Sequence, residues 1–260
     1  MKTTAIIGGS GLTQLEALTI IEHKHYETPY GEPSAACVIG ELKGRKVIFM
    51  ARHGNPHTIA PHNINYRANI WALKQAGAEQ IIAVAAVGGI TSEMTPARVV
   101  IPEQIIDYSY GREHTYFAEV DAAVQHIDFS YPYDEALRLQ LIKSAAELQL
   151  KTWNTGVYGC TQGPRLETAA EILRMQNDGC DLVGMTGMPE AALARELEIP
   201  YVCCTVIANW AAGKTQGEIT MPEIIKNLEQ GMTDIEKLLQ HFFKLEYRSR
   251  RADFSPPLYR

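Results

Sequence analysis

The chain has 260 residues, 46% of them hydrophobic and 21% charged, with a formal net charge of −6. That length and apolar content supply a sizeable buried core without disulfides or metals. The acidic balance argues against a broad nucleic-acid or anionic-membrane surface and leaves room for a small local anion site. No apolar run approaches the roughly 18 residues of a membrane helix, and the first residues lack a signal-peptide core.

Residues 5–8 read as a short apolar strand that runs into Gly8-Gly9-Ser10-Gly11. Such a turn serves equally as a tight reversal or as a cradle of backbone amides for an anion, with Ser10 as an added donor. A dinucleotide fingerprint would need a third glycine at position 14, where Gln14 stands. A second strand, 46–51, ends in Arg52-His53-Gly54. The planar fork of Arg52 suits phosphate and His53 adds a further donor, although an Arg-His pair alone usually does no more than meet solvent. Helical spacing follows over 62–77 in Ile64, Ala68, Trp71 and Ala72, stopped by Gly77. Residues 80–86 form a third strand, ending at Ala86-Val87-Gly88-Gly89.

A helix is expected near 134–149 and a strand over 155–160. Gly163-Pro164-Arg165-Leu166-Glu167-Thr168 then opens a helix over 168–178. Thr168 suits its N-cap, with Glu167 in the solvated first turn as the plain alternative to a functional role. Strand 181–185 closes on Met185-Thr186, just ahead of a helix N-terminus that favours an anion. Strand 201–208 carries Cys203-Cys204 and ends at Asn209-Trp210. The five cysteines are odd in number and show no CxxC spacing, so buried reduced thiols and a cytoplasmic location are expected. The last helix shows a single stripe of Met221, Ile224, Ile225, Leu228, Ile235, Leu238, Leu239 and Phe242. From 244 to 260 the chain turns basic and loses periodicity, which predicts a loose or partner-bound tail after a domain of residues 1–243.

Strands nearly continuous in Val, Ile, Ala and Cys suit burial on both faces. Their alternation with helices predicts a single α/β domain, a central sheet flanked by helices. Several anion-suited turns at strand ends fall where open α/β sheets bind ligands. His62, His114 and His126 lack metal-ligand spacing, and no GxSxG motif occurs.

Taken together, several motifs resemble the trimeric purine nucleoside phosphorylase superfamily, in its 5'-methylthioadenosine phosphorylase branch. They are Ile6-Ile7-Gly8-Gly9-Ser10-Gly11-Leu12, Glu27-Thr28-Pro29-Tyr30-Gly31, Ala51-Arg52-His53-Gly54, residues 65–74, Gly163-Pro164-Arg165 and residues 181–190. The resemblance spans residues 5 to about 240. It implies a twisted mixed sheet, a homotrimer, and a phosphate site made by Ser10, Arg52, His53, the backbone at Ala86, and Thr186. Met185 would lie against the ribose. The family often has a threonine where this chain has Ala85, which cannot donate, so the phosphate site lacks that hydroxyl.

The same resemblance separates the two ends of the substrate. Adenosine-type relatives carry Asp where Asn209 stands, a second Asp at Ala211, and a small Ser at Glu167. An amide at 209 can donate to O6 and accept from N7–H, and Glu167 can accept from N1–H. Asn209 and Glu167 are thus the expected catalytic pair for a 6-oxopurine. Inosine and guanosine phosphorylases place a histidine near the 5'-hydroxyl, whereas residues 219–225 contain none. Met221 and Ile225 would offer an apolar, polarizable wall to a methylthio group, or would merely pack the last helix. The implied reaction is phosphorolysis of a methylthio-nucleoside of hypoxanthine, giving hypoxanthine and 5-methylthioribose 1-phosphate, with no metal or organic cofactor. Methylthioadenosine phosphorolysis, inosine or guanosine phosphorolysis, and non-catalytic nucleoside binding are the alternatives.

Overall fold

The computed structural model describes residues 2–12, 15–118, 125–215 and 219–245. In chain order its elements begin with β1 (Thr4–Gly8), β2 (Thr19–Lys24), β3 (Cys37–Leu42) and β4 (Arg45–Ala51). A 3-10 turn at Pro61–Asn63 leads into α1 (Tyr66–Gln75), then β5 (Gln80–Gly89), β6 (Val99–Val100), β7 (Gln104–Asp107) and α2 (Glu135–Glu147). The remainder is β8 (Thr152–Trp153), β9 (Val157–Cys160), α3 (Ala169–Asn177), β10 (Leu182–Gly184), α4 (Glu190–Glu196), β11 (Tyr201–Trp210) and α5 (Met221–Lys244).

All six expected strands and four expected helices are present. The chain also forms β2, β3, β6, β7 and β8, which periodicity did not indicate. The physical reason differs among them. Strand β2 is exposed at every position, so it carries no alternation, and β6 and β8 are two residues each.

The strands form one mixed sheet running β2-β3-β4-β1-β5-β10-β9-β7, with β11 beside β5 and leading on to β6 and β8. Strands β4, β1, β5 and β11 are mutually parallel. Along one edge of β5, β1 pairs with residues 80–83 and β10 pairs antiparallel with Gly88 and Gly89. Strand β11 occupies the whole of the other edge. Residues 84–87 of β5 therefore have no strand neighbour on the first edge. This break in the ladder opens at the carboxyl ends of the four parallel strands.

Burial on both faces explains the continuous apolar runs. In β5, Ile81, Ala83, Ala85 and Val87 join one core with Tyr66, Ile70 and Leu73 of α1 and Leu193 of α4. Ile82 and Val84 join the opposite core with Leu137 and Leu141 of α2 and Ile235, Leu238 and Phe242 of α5. All five cysteines are buried and unpaired. Burial pushes the thiols of Cys37, Cys160 and Cys204 up to about 12, so they stay protonated and inert.

The stripe of the last helix divides in two. From Met232 onward it is buried, but Met221 and Ile225 are 63% and 50% exposed. Simple packing of these two residues into the core is thereby set aside. The helix ends at Lys244, and residues 246–260 of the basic tail lie outside the described residues.

Candidate active site

A cleft of about 280 Å³ lies at the carboxyl ends of β1, β4, β5 and β11. Ser10, Arg52, His53, Ala86, Glu167, Met185, Thr186, Asn209, Met221 and Ile225 all line it. The sequence-predicted residues are thus brought together from seven separated segments. His62, His114 and His126 are exposed and lie outside this lining.

Arg52 enters at the break in the β5 ladder. Its Nη1 donates to the Val84 carbonyl at 2.8 Å, supplying a partner that no strand provides. Its Nε and Nη2 donate to the two carboxylate oxygens of Glu190 at 2.7 and 2.8 Å. Both side chains are essentially fully buried. Burial alone would pull the Arg52 pKa down; the charge and hydrogen bonds of Glu190 outweigh it and hold it above its usual value. Tyr201 Oη donates to the same carboxylate at 2.8 Å. Sequence reasoning missed Glu190 and Tyr201. The available signal was an acid set between Met188-Pro189 and Ala191-Ala192-Leu193-Ala194, an apolar neighbourhood where a carboxylate needs a cation.

His53 differs from the expected extra donor. Its Nδ1 lies 2.8 Å from the Ile59 carbonyl. Burial, then the neighbouring Arg52 charge, pull its pKa down to about 4. A neutral ring facing a carbonyl must carry its proton on Nδ1, so Nε2 is left as an acceptor. Such a ring can receive a hydrogen bond from the P–OH of hydrogen phosphate rather than donate one.

The turn after β1 requires its glycines. A Cβ on Gly9 would sit 2.6 Å from the Val84 carbonyl oxygen and 2.7 Å from Arg52 Nη1. Thr186, after β10, is buried, and its backbone N–H donates to Tyr158 Oη at 3.3 Å. Met185 is held from beneath by Gly163, whose φ is +62° and whose Cβ would fall 2.5 Å from the Met185 sulfur.

At the far end of the cleft, β11 carries a bulge between Ile207 and Asn209. Asn227 of α5 donates to the Ala208 carbonyl in that bulge at 2.8 Å. Bulges of this kind re-aim side chains beside functional sites. Asn209 Nδ2 donates to the Trp210 carbonyl at 2.7 Å, leaving Oδ1 and one amide proton. Glu167, just ahead of the capping box that opens α3, accepts from Thr161 Oγ1 at 2.6 Å. The exposed apolar side chains of Met221 and Ile225 form the remaining wall with Ile219 and Leu228.

The model of the phosphorylase superfamily matches residues 3–244. The chain belongs to this superfamily. The phosphorylase is 56% identical to the probable S-methyl-5'-thioinosine phosphorylase of Pseudomonas syringae pv. tomato, over 92% of this chain and 97% of that one. It is 42% identical to the 6-oxopurine nucleoside phosphorylase of Pyrococcus furiosus, over 97% and 96%. Among solved structures, methylthioadenosine phosphorylase from Schistosoma mansoni in complex with adenine superposes with a TM-score of 0.90 at 26% identity, covering 94% of this phosphorylase and 91% of that chain. The α/β fold expected for the family and its mixed sheet are therefore present in full.

Proposed function

We propose that this phosphorylase cleaves S-methyl-5'-thioinosine with inorganic phosphate, releasing hypoxanthine and 5-methylthioribose 1-phosphate. The observation that carries the reading is one cleft with an amide and a carboxylate at its base end and exposed apolar side chains at its sugar end. Asn209 and Glu167 suit the O6, N7–H and N1–H edge of hypoxanthine. Met221 and Ile225 suit a methylthio group, which is apolar and needs no hydrogen-bond partner. The relatives named S-methyl-5'-thioinosine and 6-oxopurine nucleoside phosphorylases support the same base.

In the proposed reaction, phosphate sits among Ser10, Arg52, His53, the Ala86 backbone and Thr186, beneath the sugar. The C1'–N9 bond breaks and its electron pair passes to the purine. The purine takes up a proton at N7 from solvent and is stabilised there by Asn209; the P–OH proton that hydrogen phosphate gives up on forming the sugar ester balances it. A phosphate oxygen bonds to C1', whose positive charge the phosphate has already stabilised. Catalysis is by positioning and preorganised electrostatics, so no side chain forms a covalent intermediate. Phosphate is the co-substrate and no organic cofactor or metal takes part. The proposed assembly is a homotrimer, which rests on the family resemblance, and the proposed location is the cytoplasm, which rests on the five unpaired cysteines.

The test is hypoxanthine release from S-methyl-5'-thioinosine and from inosine, with and without phosphate. The proposal expects release only with phosphate, and a higher kcat/KM for the methylthio substrate. Phosphate-independent release, no release at all, or an equal or better inosine rate would each overturn it.

A further inference from the structure

Thr161 lies immediately after β9, where the loop toward α3 begins. Its backbone is fixed on two sides. The amide donates to the Gly184 carbonyl at 2.8 Å, extending the ladder to β10. Its carbonyl accepts from Arg112 Nη2 at 3.0 Å. Arg112 is itself buried and also donates to the Gln162 carbonyl at 2.9 Å. The Thr161 hydroxyl thus projects from a rigid anchor, and it reaches Glu167 Oε1 at 2.6 Å across the loop 161–167. A second acceptor, the Gly184 carbonyl, is 3.3 Å away. The one hydroxyl proton goes to the nearer, charged acceptor, since hydroxyl-to-carboxylate bonds are the shorter and stronger kind.

Glu167 needs such a restraint. It forms the partition between the cleft and a second cavity of about 480 Å³, lined by Tyr108, Tyr110, Gln162, Arg165 and Glu171 among others. A carboxylate on that partition has somewhere else to go.

We infer that Thr161 is a positioning residue for base selection: its hydroxyl fixes Glu167 Oε1 and so aims the second oxygen at N1 of the bound purine. This inference rests on the proposed base site. A 6-oxopurine has a proton on N1 and gains from a fixed acceptor. A 6-aminopurine presents a lone pair there and meets an oxygen that cannot swing aside into the second cavity. Thr161 thereby widens the gap between the two substrates without touching either.

The experiment measures kcat/KM for S-methyl-5'-thioinosine and S-methyl-5'-thioadenosine on wild type, Thr161→Val, Thr161→Ser and Glu167→Ala, with the melting temperature of each. Thr161→Val is expected to lower the 6-oxo to 6-amino ratio by roughly tenfold, the scale of one hydrogen bond to a charged group. Thr161→Ser, which keeps the hydroxyl, should restore the wild-type ratio. On a Glu167→Ala background Thr161→Val should change the ratio no further, because the acceptor it holds and the carboxylate it aims are both gone. A purely structural role would move melting temperature and both substrates together. The inference is overturned if Thr161→Val leaves the ratio unchanged, if the serine variant behaves like the valine one, or if the effect persists in the double variant. Thr161→Ala carries the same expectation and replaces the valine protein should that one not fold. If wild type itself lacks a 6-oxo preference, the proposed function fails instead. If Glu167→Ala lowers the ratio and Thr161→Val does not, only the inference about Thr161 fails.

Discussion

At Arg52, three of the guanidinium's five N–H donors are already committed, two to Glu190 and one to Val84. Two remain for an anion, with a charge half-answered by Glu190. In the proposed phosphate site that shifts weight onto the hydroxyls of Ser10 and Thr186 and onto backbone amides, and it fixes the fork before substrate arrives. Arg52 and His53 were legible in the sequence because they end a strand together. Glu190 was not, because its meaning depends on a residue 138 positions away. His53 gives a testable consequence. Its folded pKa of about 4 lies below its ordinary value of 6.5, through burial and the Arg52 charge. Between those values the unfolded chain holds a proton that the folded chain does not, so stability falls as pH drops from about 6.5 to about 4. Burial of His57 acts in the same direction. Glu171, held down to about 2 by Arg165 and the Thr168 backbone, loses its contribution only as pH falls from about 4.5 toward that value. Melting curves of wild type and His53→Gln across pH 7 to 4.5 should therefore diverge, with the variant less sensitive to acid. Parallel curves would show that His53 does not titrate as its surroundings require.

At the scale of elements, the site is a consequence of how β5 changes neighbours. Strand β1 leaves it after residue 83 and β10 arrives at Gly88. The intervening edge receives Arg52 and the turn at Gly9. The runs that became β1, β5, β9, β10 and β11 were legible because strands buried on both faces are apolar throughout. The exchange between β1 and β10 was not, since pairing partners leave no mark on either strand alone. Nor was the bulge at Ala208, which depends on Asn227 from α5. Gly9→Ala tests the turn. Its Cβ would displace Arg52 Nη1 or the Val84 carbonyl. Phosphate KM should rise by roughly tenfold or more, the worth of a charge-assisted contact, while the nucleoside KM moves less. An unchanged phosphate KM would place the anion elsewhere.

Over the whole molecule, one sheet with a helical layer on each face brings seven segments, from Ser10 to Ile225, to a single cleft. In the proposed reaction its two ends make separate demands on a substrate, and the base end decides between the nearest alternatives. The direct test is kcat/KM for S-methyl-5'-thioinosine against S-methyl-5'-thioadenosine at saturating phosphate, on wild type and on Asn209→Asp. Wild type should favour the 6-oxo substrate by tenfold to a few hundredfold, the cost of a mismatched buried polar contact of roughly 1–3 kcal/mol. Asn209→Asp should erode that ratio, because a carboxylate repels O6 and also the Trp210 carbonyl that the amide now meets at 2.7 Å. A wild-type preference for the adenine substrate, or a ratio untouched by Asn209→Asp, would contradict the assignment of the base site.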